Sequence, residues 1–188
     1  MPHTLAASLL LSALLFASGC AQKEKSENTD RAAAGNLENV TQVLSVEKRL
    51  NLAPNFSWVD RTGKTVYFDS YRGKITFVNF WATWCGPCKK EIPDLIELSE
   101  EFADRGVKIL GVSTDRGLSV VKDVHTFVQE HKIPYQIVID NDELAEAFGN
   151  VRMLPTSLIV DAEGKIVQTF IGARSKEAFR QTIAALLE

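Results

Sequence analysis

The sequence predicts an α/β sandwich, a central sheet with helices on both faces. Three observations carry that prediction. Segments of strand character alternate with segments of helical spacing through the middle of the chain, the order that builds a layered sheet. The run Ile75-Thr76-Phe77-Val78-Asn79-Phe80-Trp81 is apolar enough for a strand covered on both faces. A hairpin and a closing amphipathic helix then follow over 156–187.

The elements follow in order. Residues 21–36 are polar, mixed in charge and lack periodic apolar positions, so they read as a disordered tether. Leu37, Val40, Val43, Leu44, Val46 and Leu50 come next, with a spacing that suits a helix or a strand. The globular domain is therefore expected over 51–188, with 20–50 as its lead-in. Residues 56–59 and 64–68 flank Asp60-Arg61-Thr62-Gly63 and read as a β-hairpin. Residues 74–81 form the central strand. From Cys85 to Ala103, the residues Ile92, Leu95, Ile96, Leu98 and Phe102 follow helical spacing. Pro93 lies inside that helix, where a missing amide and a clash with the previous turn predict a kink. Strands at 107–112 and 136–140 enclose a helix over 118–131, and a short helix covers 143–148. Strands at 156–160 and 165–171 meet at Asp161-Ala162-Glu163-Gly164, a turn composition. The last helix spans 175–187, with Ser175 as its N-cap and Ala178 where a capping box would place Glu.

Composition bounds the function. The 188 residues are 45% hydrophobic and 24% charged, values of a folded globular chain. With 21 basic and 24 acidic residues the net charge is −3, so no basic excess is available for phosphates and nucleic acid is not an expected partner. No apolar run reaches the ~20 residues a membrane-spanning helix needs.

The chemistry sits in Trp84-Cys85-Gly86-Pro87-Cys88-Lys89-Lys90-Glu91. A Cys-x-x-Cys between a strand and a helix reads as a redox pair. Cys85 falls at the helix N-terminus, where free amides and the helix dipole favour a thiolate. Cys88 lies about one turn deeper on the same face, so one sulfur stays exposed and the other shielded. A zinc half-site is the competing reading, but its remaining ligands would be His125 and His131, at an unusual spacing. Lys89 and Lys90 read as solvated residues that add positive potential near the thiolate.

From about Ala53 to Leu187 the chain resembles the thioredoxin superfamily, and within it the TlpA/ResA-like branch of membrane-tethered thiol–disulfide oxidoreductases. The resemblance rests on Trp84-Cys85-Gly86-Pro87-Cys88-Lys89, on the lead-in from Gly73 through Asn79-Phe80-Trp81-Ala82-Thr83, and on Val151-Arg152-Met153-Leu154-Pro155-Thr156-Ser157. It implies a thioredoxin-like fold with an N-terminal hairpin and the helix–strand insertion shared with peroxiredoxins, here over 118–139. It also implies roles. Cys85 would attack and Cys88 resolve. Pro155 would be cis and face the disulfide, and Leu154 would pair its backbone with the substrate beside Trp84, Gly86 and Pro87. Met153 stands where the family often has Gly, and Asn79 where thioredoxins carry a buried Asp. The branch instead has a Glu three residues after the second cysteine, which here is Glu91. Residues 88 and 91 share a helix face, so a partly buried Glu91 could take the Cys88 proton.

The third cysteine, Cys20, stands apart. Residues 4–17 form an apolar segment of signal-peptide length, and Ala17-Ser18-Gly19-Cys20 resembles the lipobox of bacterial lipoproteins. Ala17 replaces the usual Leu, and the n-region lacks Lys and Arg. The expectation is a signal peptide over 1–19 and acyl chains on Cys20; a cleaved soluble form is the alternative. Ala21 after the cysteine favours the outer membrane, by resemblance to the enterobacterial sorting rule.

The function expected from these features is reduction of protein disulfides in the periplasm by a lipid-anchored monomer. Apocytochrome c is a possible client, and a DsbD- or CcdA-type membrane protein would return the electrons. No bound cofactor or metal is expected. Two alternatives stay open. A peroxiredoxin would carry Thr three residues before its reactive cysteine, where this chain has Ala82. A copper chaperone on the same fold would use C-x-x-x-C with a distal His, and this spacing is one residue short.

Overall fold

Strand β4, Ile75–Trp81, is buried at every position in the computed structural model, which describes residues 39–188. Alternate residues supply two cores. Ile75, Phe77 and Trp81 enter one cluster, and Val78 and Phe80 the other. The strands around β4 are β1 (Val40–Glu47), β2 (Asn55–Val59), β3 (Thr65–Tyr67), β5 (Val107–Ser113), β6 (Gln136–Ile139), β7 (Thr156–Asp161) and β8 (Ile166–Ile171). They form one eight-stranded sheet in the order β3-β2-β1-β6-β5-β4-β7-β8. The β4–β5, β5–β6 and β6–β1 pairs are parallel and the outer pairs antiparallel. The helices are α1 (Phe68–Tyr71), α2 (Gly86–Glu101), α3 (Val120–Glu130), α4 (Leu144–Ala147) and α5 (Lys176–Leu186), with a 3-10 turn at Ala103–Arg105. This is the mixed, helix-flanked sheet that the sequence predicts.

One core takes Ile92, Leu95 and Leu98 of α2, Val124 and Val128 of α3, and Phe179 and Ile183 of α5. The other packs Phe56 and Trp58 of β2 against Phe68, Leu144 and Phe148. Phe56 stacks on Phe68 at 4.7 Å between ring centroids, and Phe77 meets Phe179 edge-on at 4.9 Å. Both arrangements are favoured by the ring quadrupoles. Gly111 of β5 is a steric requirement: a Cβ there would lie 2.4 Å from Ile137 Cδ1 and 3.0 Å from Trp81 Nε1.

Several expectations need correction. The domain does not begin at residue 51, because Val40–Glu47 is a strand inside the sheet, parallel to β6 and antiparallel to β2. A register shift between Val43 and Ser45 explains why its pattern fits neither period. The side chain of Asn39 fixes its start by donating to the carbonyls of Ile133 and Tyr135. Phe68 is not the end of a hairpin strand but the first residue of α1, a single turn too short to show a period. Pro93 does lie inside a helix, which continues to Glu101. Pro93 lies on the exposed face, where the carbonyl it leaves unbonded reaches water. Ser175 does cap α5, its Oγ accepting the Ala178 amide at 3.3 Å. The signal-peptide and tether expectations fall in residues 1–38, outside the described residues.

Because Val40 and Val43 are both buried, removing residues 39–47 should destabilise the fold by roughly 3–6 kcal/mol, at about 1.5–3 kcal/mol per buried side chain. Urea denaturation of chains beginning at residues 36 and 48 would measure it. Equal midpoints would show that β1 is dispensable.

Candidate active site

Strand β4 ends at Trp81, and Cys85 follows as the N-cap of α2 in extended backbone (φ −79°, ψ 106°). Pro87 fits the first turn, where its missing amide costs nothing. Cys85 and Cys88 form a disulfide, and Cys85 Sγ accepts the Cys88 amide at 3.2 Å. Both residues are largely covered, Cys85 at 5% exposure and Cys88 at 1%. The difference in access is directional. Cys85, not Cys88, lines a groove of about 460 Å³ with Trp84, Gly86, Pro87, Arg152 and Leu154. Trp84 is 70% exposed at its rim, whereas Trp81 is a core residue.

The loop before β7 forms another wall. The Leu154–Pro155 bond is cis, as the resemblance implies. Leu154 lines the groove, and Pro155 is buried behind it. The Pro155 carbonyl is taken by the Gly172 amide at 2.8 Å, and Thr156 Oγ1 closes the loop on the Met153 carbonyl at 2.7 Å. Among the described residues, no hydrogen bond occupies the Leu154 amide or carbonyl.

Behind the disulfide lies Glu91, 3% exposed on the apolar face of α2. Asn79 Nδ2 donates to Glu91 Oε1 at 3.3 Å and to Ser157 Oγ at 2.9 Å. The Arg174 backbone amide donates to Glu91 Oε2 at 3.4 Å. Burial dominates and pushes the carboxyl up to about 7; the Arg174 amide pulls down, Asp94 pushes up, and the Ser157 hydroxyl and Arg174 charge pull down. The result is an acid poised near neutral pH, one turn beyond Cys88.

Several supporting residues were not identified from the sequence. Asp115 accepts the Thr83 amide and hydroxyl at 2.9 and 2.6 Å and the Ser113 hydroxyl at 2.9 Å, holding the approach to Cys85. Asp140 accepts from Arg116 Nη2 and from the Leu144 amide, each at 3.0 Å, at the groove's far wall. In the sequence, Asn79 reads only as a lost acid and Ser157 only as part of a motif. The available signal was a polar side chain set among the apolar residues of each of two central strands, Asn79 in β4 and Ser157 in β7. The histidines do not join the cysteines: His131 stacks on Phe127 at 3.9 Å and bonds that residue's carbonyl through Nδ1. Lys89 lies over the Phe127 ring at 5.7 Å, and Lys90 is exposed. Cys20 lies outside the described residues.

The raised acid has a thermodynamic sign. Glu91 moves from an ordinary 4.5 to about 7, so the folded state holds the proton more tightly. Its contribution is fully present below pH 4.5 and is lost as pH rises through 7. The oxidised protein should lose about 3 kcal/mol relative to Glu91→Gln between pH 4 and pH 9. Urea titrations at the two pH values would measure this; a difference of opposite sign would contradict the burial account.

Comparison with known proteins agrees with this geometry. Residues 50–169 match the AhpC/TSA family. The chain is 36% identical over 142 residues to a thiol–disulfide oxidoreductase ResA of Bacillus cereus, covering 73% of this chain and 80% of that protein. A putative thiol:disulfide interchange protein DsbE of Chlorobium tepidum superposes with a TM-score of 0.66 at 28% identity, over 77% of this chain and all of that one. An exposed lipoprotein thioredoxin of Streptococcus pneumoniae superposes with a TM-score of 0.58 at 30% identity, over 70% and 98% of the two chains. With a thioredoxin-like fold, a cysteine pair at the head of α2 and relatives of this kind, the chain belongs to the AhpC/TSA family and, within it, to the thiol–disulfide oxidoreductases related to ResA.

Proposed function

We propose that the chain is a lipid-anchored periplasmic enzyme that reduces protein disulfides through Cys85 and Cys88. The observation that carries this reading is the pairing of a groove-facing Cys85 at a helix N-terminus with a buried Glu91 beyond Cys88.

In the reduced enzyme, the Cys85 thiolate is stabilised by the α2 dipole and the Cys88 amide. It attacks one sulfur of a client disulfide. A Cys85–client bond forms, and the other client sulfur leaves as a thiolate. Cys88 then gives its proton to Glu91 and attacks Cys85 Sγ. The Cys85–Cys88 bond forms, the client's second sulfur leaves, and the client is reduced by two electrons. The free Leu154 backbone would pair with the client strand along the groove.

Gly86-Pro87, the dipeptide of reducing thioredoxins, supports this direction. The periplasmic setting then calls for a DsbD- or CcdA-type donor, and apocytochrome c is a fitting client. The lipobox-like Ser18-Gly19-Cys20 supports an anchor, favouring the outer membrane, and the lipoprotein thioredoxin among the structural relatives adds weight. Two features weigh against a peroxidase. Ala82 offers no hydroxyl, and the neighbouring Thr83 hydroxyl is committed to Asp115.

Three outcomes are expected. Cys88→Ala should trap mixed disulfides with clients and Cys85→Ala none; equal trapping would refute the division of roles. Glu91→Gln should slow resolution of a mixed disulfide about 10²–10⁴-fold, the usual span for a general base. Stopped-flow exchange would read this, and a loss below about tenfold would leave Glu91 without that role. Cys20→Ser should release the protein from membranes on fractionation, and unchanged partitioning would refute the anchor.

A further inference from the structure

Two hollows meet at the loop before β7, and only one of them holds a cysteine. Leu154 lines the groove at Cys85. Its neighbour Met153 lines a second cavity, of about 390 Å³. Val151 and Arg152 line both, so the two spaces adjoin.

The sheet explains why this second cavity is open and apolar. β7 and β8 pair Thr156 with Ile171 and Leu158 with Thr169, and direct cross-strand partners share a face. The alternate pair, Ser157 with Phe170, faces α5, where Phe170 meets Phe179 edge-on at 5.2 Å. On the Leu158 side, α4 is a single turn that lies against β1. The loop after it, rather than a helix, walls the cavity. Phe148 and Leu158 are buried at its floor, while Met153 is 62% and Ile171 55% exposed at its rim. Arg152 is the only charged residue among those that line it.

The cavity is also preformed. Gly149 and Asn150 turn the loop in left-handed backbone, at φ 92° and 64°. Their amides both donate to the Glu146 carbonyl, at 3.1 and 3.0 Å, and the Val151 amide donates to the Ala145 carbonyl at 2.9 Å. Beyond Leu154, the Met153 carbonyl is held by Thr156 Oγ1 and the Pro155 carbonyl by the Gly172 amide. These bonds fix the rim and leave the Leu154 backbone as the pairing point between the two hollows. Exposed apolar surface of this kind is unfavourable in water until an apolar group covers it. A rigid hollow loses little entropy when it is filled.

We propose that this cavity is a specificity subsite for the client. It takes a large aliphatic or aromatic side chain that lies within two residues of the client cysteine. The occupant follows from continuity with the Cys85 groove. A client strand that presents its sulfur to Cys85 and pairs with Leu154 reaches Met153 within about one residue, since a strand advances about 3.3 Å per residue. Backbone pairing at Leu154 accepts any sequence, and the cavity adds a side-chain requirement to it. This rests on the reading that Cys85 reduces client disulfides and that Leu154 pairs with the client chain.

The test uses the reduced full-length protein and short peptides whose single cysteine is disulfide-linked to a small thiol. Leu replaces Ser, one position at a time, at the two residues on each side of that cysteine. Stopped-flow mixing gives the second-order rate constant of reduction. At one of these positions Leu should speed the reaction about tenfold, the discrimination an apolar pocket gives for a partly buried side chain. Met153→Gln and Ile171→Thr make the rim polar, and together they should bring the Leu-to-Ser ratio below about twofold. The ratio cancels any general effect of these variants on Cys85. In the oxidised protein, the Leu peptide with Ser in place of its cysteine should shift the Met153 and Ile171 methyl NMR signals, and the all-Ser peptide should not. Equal reduction of the Leu and Ser peptides at every position would overturn the subsite alone. A preference that survives the double variant would place the side chain elsewhere and overturn it too. Methyl shifts that follow protein concentration without peptide would assign the cavity to a second copy of this chain, again against the proposal. Failure to reduce any of the peptides would remove the reductase reading, and the subsite with it.

Discussion

The two-sided burial of β4 is the constraint on which the site depends. A strand covered on both faces cannot slip by one residue without exchanging its two cores, so its register with β5 and β7 is fixed over its whole length. Its end at Trp81 is thereby fixed too, and with it the turn that carries Cys85 to the head of α2. The Thr114 amide donates to the Trp81 carbonyl at 2.9 Å, and Asp115 holds Thr83 on the next residues. The reactive sulfur is placed by the most buried part of the sheet rather than by a flexible loop.

The same geometry gives the two ends of the first α2 turns opposite electrostatic surroundings. At Cys85, unpaired helix amides and the groove favour an anion. At Glu91, burial disfavours one and lifts the acid towards neutrality. One group is ready to lose a proton and the other to take one. Burying a carboxyl whose pKa rises by this much costs stability at neutral pH, of the order of 3 kcal/mol. A helix selected for packing alone would place a Leu at residue 91, between Cys88 and Leu95. Its retention as a buried acid fits a site that gives up stability for chemistry.

Much of this was legible in the sequence because it rests on local rules. The apolar run 75–81, the Cys-x-x-Cys after it and the spacing of Ile92, Leu95 and Leu98 identify strand, site and helix face without tertiary information. The Ser175 cap and the Asp161–Gly164 turn follow from short-range hydrogen bonding. What escaped depends on partners distant in sequence. β1 is a strand because β2 and β6 flank it, and its bulge hides the period that would have shown it. Asp115, Asp140 and Ser157 gained roles only when the sheet brought residues 83, 116 and 79 beside them.

Asn79 shows how such a distant pairing constrains the chemistry. The resemblance to thioredoxins leads one to look for a buried Asp at this position, and its replacement first reads as a loss. In the fold, the residue 79 side chain lies 3.3 Å from the Glu91 carboxyl. Two carboxylates at that separation in a buried site would repel strongly, and one would stay protonated across the working pH range. An amide avoids this conflict. It donates to Glu91 and Ser157 together, and so leaves a single titrating acid beneath the disulfide. Asn79 and Glu91 are therefore one arrangement, in which the acid has moved from the strand to the helix and the strand keeps only a donor.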